Sequence, residues 1–148
     1  RKGFQMVERT GFVALKKERD YAVFVIIENI GGLPLVQEKG NFPEKKWKLP
    51  GGRPSLEDNM DKNITAMREV NDEIGIVIKY PENEVFRIPK TRHDFIVLKA
   101  EYYSGELLAK NEIERVECFI PDEIRQMSEE NKILPDHAKA LSVYLYGA

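Results

Sequence analysis

Residues 58–75 carry the pattern that most limits what this chain can become. From about Asp58 to Ile74, Met60, Ile64, Met67, Val70 and Ile74 recur at helical spacing and form one broad apolar face. Asp58, with Asp61 three residues on, offers an N-terminal cap, and Gly75 offers a C-terminal stop. The run Tyr21–Ile27 ahead of it is apolar, β-branched and aromatic, and reads as a buried strand. Gly31-Gly32 marks a turn and Leu33–Glu38 a returning strand, expected to form a hairpin with the first. Short strands are expected near Val77–Tyr80 and Val85–Ile88, a clear one over Phe95–Tyr103, and another over Arg115–Ile120. Pro121 and Pro135 each open a helix, the last running through Ala138, Leu141 and Leu145. Strands on both sides of a central helix, with further helices at the end, predict an α+β fold, a mixed β-sheet sandwiched between α-helices.

A chain of 148 residues without repeat, linker or low-complexity tract is treated as one domain, 1–148. No apolar run reaches membrane-spanning length, so no membrane partner is expected. A net charge of −2 with dispersed Lys and Arg gives no basic face for duplex nucleic acid. The single cysteine, Cys118, excludes an internal disulfide and a cysteine zinc cage, and favours a reducing, cytoplasmic setting. His93 and His137 lie in no metal-ligand spacing and are taken as structural or solvent-exposed.

The chemistry concentrates on the helix. Glu69, Asp72 and Glu73 stand at i, i+3 and i+4, on a side expected to lie opposite Met60, Ile64, Met67 and Ile74. Carboxylates so close repel one another unless a cation compensates, and hard divalent cations with oxygen ligands are the natural compensation. Upstream, Leu49-Pro50-Gly51-Gly52 is a glycine turn that lets backbone approach a ligand.

These features resemble the Nudix hydrolase family. Its Arg-Glu-apolar-x-Glu-Glu-x-Gly-apolar signature appears as Arg68-Glu69-Val70-Asn71-Asp72-Glu73-Ile74-Gly75-Ile76, with Asp72 replacing one glutamate. Trp47-Lys48-Leu49-Pro50-Gly51-Gly52 is similar to the family's lead-in, and Glu112–Ile124 to its acidic loop, strand and short helix. One departure stands out. Counting back from Arg68 puts the first signature glutamate at Met60; counting forward from Gly52 puts it at Asp58. The motif is thus two residues longer, and Asp58 or Glu57 must do that residue's work of supporting Arg68 and the loop.

The resemblance implies a magnesium-dependent hydrolase, with manganese able to substitute, cleaving a nucleoside diphosphate linked to another group. It makes Glu69 and Glu73 metal ligands, with help from the carbonyl of Gly51, and Asp72 a ligand through water or an outer acceptor. It gives Arg68 the task of holding Glu69, and Glu112 that of a ligand or of the base for the attacking water. Arg53 and Arg92 are candidate phosphate contacts and Trp47 a candidate base-stacking residue. A small nucleotide is the implied partner, and a homodimer is compatible with the family's habits. A catalytically weak nucleotide sensor is the alternative. Isomerase chemistry finds no support, because Cys118 falls in an expected strand with nothing placing it in a pocket.

Overall fold

The computed structural model describes residues 4–9, 12–17, 19–40 and 44–148, the first two segments as backbone only. Strands β1 (Phe4–Arg9) and β2 (Phe12–Lys17) pair antiparallel, an element not anticipated ahead of Tyr21. The centre is β3 (Tyr21–Glu28). Its odd residues, Tyr21, Val23, Val25 and Ile27, face one core and its even residues, Ala22, Phe24 and Ile26, face another. Burial on both faces explains why this strand is continuously apolar rather than alternating.

β4 (Leu33–Glu38) and the two-residue β5 (Gly51–Gly52) follow, then α1 (Lys62–Ile74), β6 (Ile76–Ile78), β7 (Asn83–Pro89), β8 (Asp94–Gly105) and β9 (Ile113–Phe119). β3 runs parallel to β8 and antiparallel to β5, while β7 and β6 pair antiparallel with successive stretches of β8. The expected β3–β4 hairpin does not form. β4 pairs antiparallel with β9, because Gly31 and Gly32, both at positive φ, turn the chain away from the central sheet. Helix α1 covers the Val23–Val25 face, and α2 (Pro121–Glu129) and α3 (Pro135–Tyr146) cover the Phe24–Ile26 face. The expected mixed sheet between helices is therefore present. Among the described residues no helix is long and apolar enough to cross a membrane.

The helix starts later than its apolar spacing predicts. Leu56–Asp58 forms a 3₁₀ turn, Asn59 and Met60 take left-handed φ values of 53° and 59°, and Asp61 is the cap. The Asp61 carboxylate accepts from the backbone N–H of Asn63 at 2.9 Å and of Ile64 at 3.4 Å, satisfying two of the helix's free donors. Its packed face is also rotated. Thr65, Ala66, Val70, Glu73 and Ile74 are buried, whereas Ile64 is exposed.

Candidate active site

The segment from Trp47 to Gly52 joins the parts of the fold. Trp47 bridges to Ile133, Lys48 exchanges two backbone hydrogen bonds with Val36 of β4, and Val25 of β3 donates to the Pro50 carbonyl. Gly51 and Gly52 then pair with Phe24 and Val23. A β-carbon on Gly51 would lie 2.1 Å from the Val23 carbonyl oxygen, and one on Gly52 would lie 2.6 Å from Oε2 of Glu69. Two bare residues thus let helix α1 bring its carboxylates flush against backbone.

Glu73 is buried, and its Oε1 accepts the Gly51 N–H at 3.1 Å. It lies on the packed side of α1, not opposite it as the sequence suggests, because the glycine strand leaves room there for a carboxylate. Glu69 is half-buried one turn earlier. Glu112 reaches them from the loop between β8 and β9. That loop is docked on the end of α1: Leu108 N–H donates to the Ile74 carbonyl, Lys110 N–H to that of Glu73, and the Asn111 amide to that of Asp72. The last carbonyls of the helix, which have no partners within it, thereby hold the loop in place. One oxygen each from Glu69, Glu73 and Glu112 lies within 4.8 Å of the others.

This crowding has an electrostatic cost. Burial, reinforced by Glu69 and Glu112, pushes the Glu73 carboxyl up to about 8, although Lys48 and the Gly51 N–H oppose the shift. Burial raises Glu69 as well, with Arg68 opposing. A carboxyl that keeps its proton near neutrality in a nest of oxygens is one whose proton a divalent cation can displace. The donor set is hard oxygen throughout, which fits magnesium or manganese.

Arg68 does not take up the expected hydrogen bond with Glu69. Its Nε and Nη2 grip the buried Asp58 carboxylate at 2.9 and 2.7 Å, and Nη2 also donates to the Arg53 carbonyl at 3.2 Å. Only Nη1 turns toward Glu69, at 3.5 Å, and Asp72, at 3.6 Å. Asp72 is exposed and outside the three-carboxylate group, since an aspartate at i+3 from Glu69 is too short to follow Glu73 inward. Glu57 is exposed.

A sequence match to the NUDIX domain spans residues 18–142. The chain belongs to the Nudix hydrolase family. Solved structures agree on the fold. A NUDIX hydrolase from Nitrosomonas europaea shares 17% identity at a TM-score of 0.71, covering 95% of this chain and 84% of that one. The MutT protein from Methanosarcina mazei Go1 shares 20% identity at 0.64, with 87% and 94% coverage. An ADP-ribose pyrophosphatase from Streptococcus suis shares 20% identity at 0.57, with 70% and 75% coverage. No curated protein sequence matches the chain.

Within the Nudix frame, Asp58 is the residue that grips Arg68 across the lengthened motif. The substrate-side expectations scatter. Arg53 is tied to the Tyr21 carbonyl at 3.0 Å and to the Asp20 carboxylate. Trp47 is buried edge-on against Phe119, 4.9 Å between centroids, with the Arg115 guanidinium over its ring. Its remaining edge borders a cleft of about 440 Å³ with Gln37, Lys45, Lys46 and Asn131. Arg92 is exposed in the loop whose Lys90 and His93 border a second cleft of about 450 Å³, floored by Ala22, Phe24, Phe95 and His137. His137 is buried, its Nδ1 accepts the Leu49 N–H at 3.1 Å, and burial beside Lys48 holds it neutral, with a pKa near 3.

Lys48 was not singled out from the sequence. It is buried, carries its ammonium 3.5 Å from Glu38 and 5.1 Å from the Phe24 ring centre, and its charge lowers Glu73. A lone cation between Trp47 and Leu49, in an otherwise strand-like and apolar lead-in, was the available signal.

Proposed function

We propose that the chain is a divalent-cation-dependent hydrolase that cleaves the diphosphate linkage of a nucleoside diphosphate joined to another group. The observation that carries this reading is the convergence of Glu69, Glu73 and Glu112, from a helix and a loop, against a glycine backbone. Glu69, Glu73 and the Gly51 carbonyl would hold magnesium, with manganese as a replacement, and Asp72 would act as an outer acceptor. Bound there, the cation would neutralise the diphosphate oxygens and acidify the attacking water.

The chain supplies the remainder. Glu112, the exposed member of the group, accepts the proton of the attacking water. Arg68, through Nη1, balances charge on Glu69 and Asp72. The cleft between Phe24, Phe95 and His137 suits a flat ring, and it lies next to the carboxylates through one short segment. Leu49 donates to His137 on one side and, two residues on, Gly51 donates to Glu73 on the other. Arg92, exposed in the loop beside that cleft, would contact the substrate's phosphates, Arg53 would do so on release from Asp20, and Trp47 borders the neighbouring cleft. The ADP-ribose pyrophosphatase among the structural relatives supports this substrate class.

The sensor alternative draws on the displaced glutamate and on Asp72; the grip of Asp58 on Arg68 answers the first, and the exposed Asp72 stands outside the three-carboxylate group. Incubating the protein and magnesium with a panel of nucleoside diphosphate sugars, dinucleoside polyphosphates and nucleoside triphosphates, with products separated by chromatography, tests the choice. Turnover of at least one member is expected. Saturable binding across the panel with no product would establish the sensor instead.

A further inference from the structure

Behind Arg68 lies a chain of buried hydroxyls that the Nudix signature does not specify. The Asp58 carboxylate receives four hydrogen bonds. Oδ1 takes Arg68 Nε, while Oδ2 takes Arg68 Nη2, the Ser55 N–H at 2.9 Å and the Thr65 hydroxyl at 2.9 Å. Four donors, three of them on Oδ2, commit this carboxylate to the turn, to Thr65 and to Arg68. Thr65, fully buried on α1, also lies 2.8 Å from the Tyr21 hydroxyl on β3. The direction of this last bond follows from its neighbours. The Thr65 proton is committed to a carboxylate, which can only accept, so Tyr21 must donate to Thr65.

We propose that Thr65 and Tyr21 are positioning residues: the directed chain Tyr21 to Thr65 to Asp58 fixes the Arg68 guanidinium so that Nη1 alone faces Glu69 and Asp72. Asp58 sits in a turn preceded by an extended backbone and followed by two left-handed residues, so its place is not set by a helix. The hydroxyls anchor it to two rigid elements instead, a strand and a helix. Aspartate is one methylene shorter than the glutamate the family uses, and the two added loop residues with this anchor bring it within reach of Arg68. Without the anchor, Asp58 and Arg68 would swing together. Arg68 could then pair more closely with Glu69, competing with a cation for that carboxylate.

The inference rests on the hydrolase reading, and the test separates the two. Manganese binding is titrated by electron paramagnetic resonance in the wild type and in Thr65→Val, Thr65→Ser and Tyr21→Phe, and thermal unfolding is followed without metal. Thr65→Val keeps the shape and removes the hydroxyl. It should weaken manganese binding by about 10-fold, the lower end for residues that orient metal ligands. Thr65→Ser should restore it, and Tyr21→Phe should show a smaller loss in the same direction. Wild-type affinity in a folded Thr65→Val, or in Tyr21→Phe should Thr65→Val not fold, would overturn the positioning role. Absence of manganese binding by the wild type would overturn the hydrolase reading and this inference with it.

Discussion

At the scale of the residue, burial decides which acid does what. Glu69, Asp72 and Glu73 look equivalent in the sequence, at i, i+3 and i+4, yet Glu73 is buried, Glu69 half-buried and Asp72 exposed. The folded protein keeps Glu73 protonated up to about pH 8, whereas an unfolded carboxyl releases its proton near its ordinary value of 4.5. Between those values the folded state holds more protons than the unfolded one. The metal-free protein should therefore lose stability as pH rises from about 4.5 to about 8. Urea unfolding midpoints measured across that window should fall in the wild type and stay flatter in Glu73→Gln. Parallel curves for the two proteins would contradict the assignment. None of this is legible in sequence, because the desolvation comes from chain segments far from Glu73.

The elements themselves were more legible. The helix ending at Gly75 and the two proline-opened helices are legible because each depends on neighbours in sequence, whereas the apolar spacing misplaces the start of α1 and its packed face. Asp61 rather than Asp58 is the cap, since Asn59 and Met60 break the helical backbone between them. Pairing was not legible: β3 and β4 look like a hairpin locally, but β4 finds β9, some eighty residues away. The glycine strand is the element whose geometry matters most to the site. Gly52→Ala would place a β-carbon 2.6 Å from Glu69 Oε2, the mobile end of a side chain. It should cost about 1 kcal/mol or less in stability but about 10-fold or more in metal affinity. Gly51→Ala would meet the Val23 carbonyl at 2.1 Å and the Phe24 Cα at 2.6 Å, both backbone, and should destabilise by about 3 kcal/mol. Calorimetry of metal binding beside denaturant unfolding checks both. Equal stability losses for the two variants would show that the glycines are interchangeable.

For the whole molecule, the sheet is a partition. One face packs α1 and its carboxylates; the other packs α2 and α3 and holds, beside the start of α3, the Phe24–Phe95–His137 cleft. The segment Trp47–Gly52 lies at the sheet edge and touches both sides, linking the two clefts' floors to the carboxylates. A ligand that engages the carboxylates of the folded state alone must stabilise the entire fold. Magnesium at 100 times its dissociation constant should add about 2.7 kcal/mol to unfolding, visible as a rise in melting temperature of several degrees. Chelator-stripped protein that melts identically before and after magnesium is added would contradict a preformed site.

Glu73, buried against the glycine strand, is the residue on which hydrolysis should depend most. Hydrolysis of the best substrate from the nucleotide panel should be measured at saturating magnesium for the wild type and for Glu73→Gln, both shown to be folded. With Glu73 holding the metal directly, as proposed, its replacement should lower kcat/KM by more than the ~10–100-fold that outer partners cost. A Glu73→Gln protein as active as its parent would contradict the central claim.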